Sequence, residues 1–62
     1  MKVKELISAL EAAGWVLART TGSHRQFKHP AKPNVVTVPG KPSDDMPIGT
    51  QNSILKTAGL KP

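Results

Sequence analysis

Residues 14–30 read GWVLARTTGSHRQFKHP: two short runs of strand-forming residues separated by a Gly-Ser turn. Such runs are typical of a β-hairpin. Directly paired residues of an antiparallel ladder share a face. Trp15, Leu17 and Phe27 are therefore expected on one core face, with Leu17 opposite Phe27. This register predicts a three-residue loop in which Gly22 takes a positive φ.

The same register decides which way His24 points. Because side chains alternate along a strand, His24 and Lys28 are expected on the face away from the core, with Thr20 opposite His24. The register also brings Arg19 beside Arg25, a pairing of like charges that disfavours regular pairing at this end of the hairpin.

Helical periodicity flanks the hairpin. The apolar residues of segment 2–13 recur at helical spacing before Gly14, and those after residue 48 do so up to Gly59. VVTV (35–38) predicts a third strand, whereas HPAKPN (29–34) and GKPSDDMP (40–47) are interpreted as loops. The order α-β-β-β-α predicts an α+β fold with a three-stranded antiparallel sheet, two helices on one face and the other face open.

Size and composition restrict the function. The chain has 62 residues and no cysteine, so we expect one domain over residues 1–62 without disulfides or thiolate metal sites. No apolar run reaches 18 residues, which predicts a soluble cytoplasmic protein. Nine Lys and Arg against four Asp and Glu give a net charge of +5, which favours a polyanionic partner such as nucleic acid.

Three segments together resemble a known family. GWVLARTTGSHRQFKHP, the later TVP and the closing GTQNSILKTAGL are similar, in this order, to the HicA family of small bacterial toxins. The resemblance implies a fold similar to the double-stranded RNA-binding domain and a metal-independent, cofactor-free ribonuclease acting on mRNA. It also implies that the toxin is a monomer when free and forms a hetero-oligomer with a HicB-type antitoxin that covers its active site.

The resemblance further implies a role for the Gly-Ser-His motif. His24 is the expected catalytic residue, with Gly22 and Ser23 shaping its turn. Many relatives carry a second histidine just after the third strand, where this chain reads VPGKP and places Lys41 nearby. The general acid must then be another group or water.

Imidazole suits this chemistry because its unperturbed pKa of about 6.5 lies near neutral pH. Cleaving RNA without a metal needs a base for the ribose 2′-hydroxyl, an acid for the departing 5′-oxygen and positive charge for the phosphorane. The candidates for RNA binding or for stabilising that charge are Arg19, Arg25, Lys28 and Lys41.

Other interpretations remain open at this point. The chain could be a non-catalytic double-stranded RNA-binding module, or a protein whose edge strand pairs with a partner. His29 precedes a proline and favours a structural or merely exposed role, although it is also the simplest candidate for the missing acid. Asp44 and Asp45 are interpreted as turn residues near the last helix rather than as metal ligands.

Overall fold

A computed structural model, which describes residues 1–61, has the predicted order of elements. The α-β-β-β-α arrangement consists of α1 (Val3–Ala12), β1 (Val16–Thr21), β2 (His24–His29), β3 (Lys32–Val38) and α2 (Ile48–Thr57). The strands form one antiparallel sheet in the order β1-β2-β3. The predicted α+β architecture is confirmed. Neither described helix is long and apolar enough to span a membrane.

One apolar core lies between the helices and the sheet. The periodic residues of both helices pack onto alternate residues of β2 and β3, as the helical and strand periods require. The buried apolar side chains are Val3, Leu6, Leu10, Trp15, Phe27, Val36, Val38, Met46, Ile54, Leu55 and Ala58. Trp15 and Phe27 are therefore core residues, as predicted.

The core position predicted for Leu17 is wrong. Leu17 does pair with Phe27, yet its side chain is 47% exposed while that of Phe27 is 1% exposed. Every residue of the edge strand β1 is exposed, whereas the sheet residues of the core come from β2, β3 and the segment before β1. The helices thus cover the central strand and β3 but leave β1 open.

The hairpin register also corrects the predicted loop. Thr21, not Thr20, pairs with His24, so the turn has two residues, Gly22 and Ser23, with Gly22 at φ 58°. A bulge between Leu17 and Arg19 absorbs the extra residue. The bulge allows the predicted Leu17–Phe27 pair and the two-residue turn to form in the same hairpin.

The bulge moves Arg19 to the other face of the sheet. Arg19 pairs with Gln26 instead of Arg25, so it shares the face of Gln26 and His24. Arg25 points towards the helices, where its guanidinium Nη1 donates a hydrogen bond to the Gly40 carbonyl oxygen at 3.1 Å. The unfavourable pairing of two arginines is thereby removed.

β3 is longer than predicted. Residues 32–34, interpreted from sequence as part of a loop, belong to the strand, and only Pro30 and Ala31 form the turn after β2. Pro33 is tolerated because β3 is an edge strand, where a missing backbone donor breaks no interior ladder.

α2 runs back alongside β3. Lys32 Nζ donates to the Ala58 carbonyl at 3.0 Å, and Asn34 Nδ2 donates to the Thr57 carbonyl at 3.1 Å. These bonds hold the C-terminal end of α2 beside the beginning of β3. The N-terminal half of α2 consequently lies beside the end of β3.

The loop between β3 and α2 caps the other helix. The carbonyl oxygens of Asp44 and Pro42 accept the Val3 and Lys4 backbone N–H groups at 2.9 and 3.0 Å, two donors that a helix N-terminus leaves unpaired. The Asp45 carboxylate lies 3.3 Å from Lys2 Nζ. The Asp44 backbone and the Asp45 carboxylate therefore lie at the start of α1.

His29 joins α1 to the sheet. The Ala31 backbone N–H donates to His29 Nδ1 at 3.0 Å, so the ring carries its hydrogen on Nε2, which lies 3.0 Å from the Ala13 carbonyl oxygen. The Trp15 ring meets it edge to face at a centroid distance of 5.3 Å. His29 therefore has a structural role, which was the preferred interpretation of the sequence.

Replacing Gly14 by Ala tests this junction. Gly14 has φ +96°, and an added Cβ would lie 2.8 Å from His29 Nε2. We expect a loss of roughly 2–4 kcal/mol in the free energy of unfolding, from backbone strain and the displaced histidine. Gly22→Ala is the matched control because it has positive φ but nothing within 4 Å, and about 1 kcal/mol is expected there.

Urea denaturation measures both changes. In a His29→Ala background, the cost of Gly14→Ala should fall and approach the cost of backbone strain alone, since the obstructing ring is gone. Equal costs for the two glycine variants in the parent background would contradict the proposed junction.

The opposite orientations of Arg19 and Arg25 give a second test. Arg25→Met leaves the Gly40 carbonyl without its charged donor, so we expect a loss of about 1–2 kcal/mol in stability. Arg19→Met removes an exposed side chain and should change stability by no more than about 0.5 kcal/mol. Equal urea midpoints for the two variants would be inconsistent with the bulged register.

Candidate active site

His24 lies on the open face of the sheet, at the beginning of the central strand. The neighbouring odd-numbered residues of β2 face the helices. Arg25 donates to the Gly40 carbonyl, Phe27 lies in the core, and the His29 ring contacts the Ala13 carbonyl. Strand alternation therefore directs His24 to the opposite face, and its side chain is exposed. The tight turn immediately before it, with Gly22 in the left-handed region, starts β2 at this residue.

A groove of about 420 Å³ opens beside His24. The end of β3 forms one wall and the N-terminal half of α2 forms the other. Its lining residues are His24, Thr37, Pro39, Gly49, Thr50, Ser53 and Ile54. This volume falls within the roughly 300–1,000 Å³ typical of small-molecule sites. An exposed imidazole thus stands at a cleft of the size that small-molecule ligands occupy.

Sequence reasoning missed every groove residue except His24. Thr37, Thr50 and Ser53 contribute hydroxyl groups, and all three are exposed. Gly49 is the one residue that could have indicated the groove from sequence. A glycine in a helical segment lowers helix stability and usually has a packing or functional role.

The predicted cations are divided between the two faces. Arg19 shares the face of His24 through its pairing with Gln26. Lys28 is exposed on the same face, and four residues of strand place it about 13 Å from His24. Arg25 lies on the helix side, and Lys41 follows Gly40 in the loop that Arg25 holds.

A second groove, of about 270 Å³, lies on the far side of Pro39 and Thr50. Asp44 and Asp45 line it, but Asp44 Oδ2 accepts the Lys41 backbone N–H at 3.0 Å and Asp45 pairs with Lys2. Within residues 1–61, no three His, Asp or Glu side chains are grouped so that they could hold a metal ion. The site around His24 thus offers imidazole, hydroxyl groups and nearby cations, which suit proton transfer on a phosphate ester.

Comparisons with known proteins agree with this geometry. The model of the family described as HicA toxin of bacterial toxin-antitoxin matches residues 3–60. A solved HicA3 and HicB3 toxin-antitoxin complex contains a similar chain, with 35% identity and a TM-score of 0.83, over 100% of this chain and 98% of that one. Among curated proteins the comparison finds no match. With nearly its whole length matched in sequence and in fold, this chain belongs to the HicA family of toxins from bacterial toxin–antitoxin systems.

Proposed function

We propose that this chain is a metal-independent endoribonuclease that cleaves mRNA and uses His24 as its general acid–base group. The observation that carries the proposal is the exposed His24 ring at a groove of molecular size, on a sheet face that also presents Arg19 and Lys28. A surface site of this kind suits a long, flexible single strand, which completes the site when it binds.

The reaction follows from the groups available. His24 accepts the proton of a ribose 2′-hydroxyl, and the 2′-oxygen forms a bond to the adjacent phosphorus. The bond from phosphorus to the 5′-oxygen breaks, which leaves a 2′,3′-cyclic phosphate and a 5′-hydroxyl end. His29 is not the acid, because its Nε2 lies against the Ala13 carbonyl oxygen and its Nδ1 accepts the Ala31 backbone N–H. The proton for the departing oxygen comes from another group or from water.

Arg19 and Lys28 have electrostatic roles in this proposal. Arg19 lies on the strand beside His24, close enough in the ladder to approach the phosphate at the site of cleavage. Lys28 is about 13 Å along β2 and suits a phosphate further along the RNA. Arg25 stabilises the loop that carries Lys41 rather than contacting RNA.

The partner in this proposal is a HicB-type antitoxin. The similar solved chain is part of a HicA3 and HicB3 complex. On this chain, the open face presents cations together with exposed Val16 and Val35, which are 62% and 42% exposed. An acidic protein surface with apolar residues at its centre would cover both the face and His24.

The central test replaces His24 by Ala. Loss of general acid–base catalysis should lower the cleavage rate by about 10²- to 10⁴-fold. The variant should still fold, because the ring is exposed. Purified protein is incubated with a defined RNA, with and without EDTA, and the fragment ends are identified. Ser8→Ala, an exposed change on α1, is the control and should behave like the parent.

Cyclic-phosphate ends that persist in EDTA, and that disappear with His24→Ala, are the predicted result. Cleavage by His24→Ala at the parent rate would refute the assignment. Tight binding of duplex RNA without any cleavage would identify a binding module instead.

Salt dependence tests the cations. Each phosphate contact on a single strand contributes about −0.7 to the slope of log K against log salt concentration. Arg19→Gln and Lys28→Gln should each reduce the slope for a non-cleavable RNA by about this amount. Lys4→Gln removes the same charge from the exposed side of α1 and should leave the slope unchanged. Three equal slopes would argue against an RNA path over the open face.

A further inference from the structure

We propose that the groove between β3 and α2 binds one nucleoside of the RNA, next to the phosphate that is cleaved. Gly49, Thr50 and Ser53 then determine which nucleoside is accepted. This inference rests on the proposed ribonuclease function and assigns a substrate-binding role to residues of α2.

The chemistry of the lining fits a nucleoside better than a phosphate. Among the described residues that form the groove, none is a lysine or an arginine. Three are hydroxyl residues (Thr37, Thr50 and Ser53), which both donate and accept hydrogen bonds, while Pro39 and Ile54 are apolar. Neutral polar groups at fixed positions over an apolar floor are suited to a sugar and a base, whereas phosphates are contacted mainly through positive charge.

Gly49 supports this assignment independently. It is the second residue of α2, where glycine brings no packing contact of its own. The fold does not require it, because an added Cβ would have nothing within 4 Å and no left-handed backbone conformation is involved. Its evident effect is to keep one wall of the groove free of a side chain, so that a ligand can approach the helix backbone closely.

The position of the groove gives the RNA a path. His24 stands on the central strand, with Arg19 on β1 to one side and the groove on the β3 side. If an RNA strand crosses β2 with the cleaved phosphate at His24, one neighbouring nucleoside lies in the groove. The phosphates of the RNA on the β1 side of His24 would contact Arg19 and Lys28. The neutral and cationic parts of the surface thus match the two parts of the ligand.

Kinetics of three groove variants test this inference. Gly49→Ala should fold with an unchanged or higher melting temperature, yet raise KM at least about tenfold by narrowing the groove. Thr50→Val and Ser53→Ala keep the shape but remove a hydroxyl. They should change the ratio of kcat/KM between RNAs that differ in one base beside the cut by about fivefold or more. Ser8→Ala is again the control.

Binding is measured separately by amide NMR titration of the parent protein with the four nucleoside 3′-monophosphates. The backbone amides of Gly49, Thr50 and Ser53 should shift, and more strongly with one nucleotide than with the others. Amides around Ser8 should stay unchanged.

The outcomes separate this inference from the proposed function. If the parent cleaves RNA and the three groove variants match Ser8→Ala in KM and base preference, the nucleoside site is wrong and the ribonuclease assignment stands. If the parent does not cleave RNA but the groove amides shift, the ribonuclease assignment fails and the nucleotide site stands. Unshifted groove amides at saturating nucleotide would overturn the site in either case.

Discussion

Burial of Phe27 is the constraint from which the rest of the site follows. Its ring is the main apolar contribution of the central strand to the core, and it faces α1 and α2. Because side chains alternate strictly along a strand, this one burial sends His24 and Lys28 to the open face and Arg25 and His29 to the helix side. A register shift of one residue would bury His24 and expose Phe27.

The bulge in β1 resolves two demands that a regular ladder cannot meet together. Pairing Leu17 with Phe27 and closing a two-residue turn at Gly22 require registers that differ by one residue. An extra residue in β1 satisfies both, and it also turns Arg19 towards the face of His24. Strict alternation from the sequence could identify only one of the registers. For this reason the Leu17–Phe27 pair was predicted correctly, while the loop length and the neighbour of Arg19 were not.

Elsewhere too, features set by local sequence were predicted correctly, whereas features set by tertiary packing were not. Helical periodicity located α1 and α2 closely, because their apolar residues repeat within each segment. The exposure of Leu17 depends on where the helices end over the sheet, which no local pattern contains. The beginning of β3 was missed because Pro33 is typical of loops, although an edge strand tolerates a proline.

The candidate site also combines a residue that could be predicted from the sequence with residues that only the tertiary structure brings together. His24 was found through the Gly-Ser-His resemblance and its place in the strand. Thr50 and Ser53 line the groove beside it because core packing of α2 and the bonds from Lys32 and Asn34 hold the helix antiparallel to β3. A hairpin supplies the imidazole of His24, and a helix from the other end of the chain supplies the adjoining wall of the groove.

A crystal structure of the protein with an RNA carrying 2′-O-methyl groups would test the central claim most directly, since the modified RNA keeps its 2′-oxygens but cannot cyclise. We predict that the 2′-oxygen next to one phosphate lies within hydrogen-bonding distance of the His24 ring, at about 2.6–3.2 Å. RNA bound on the helix side, or on the open face with no ribose near His24, would contradict it.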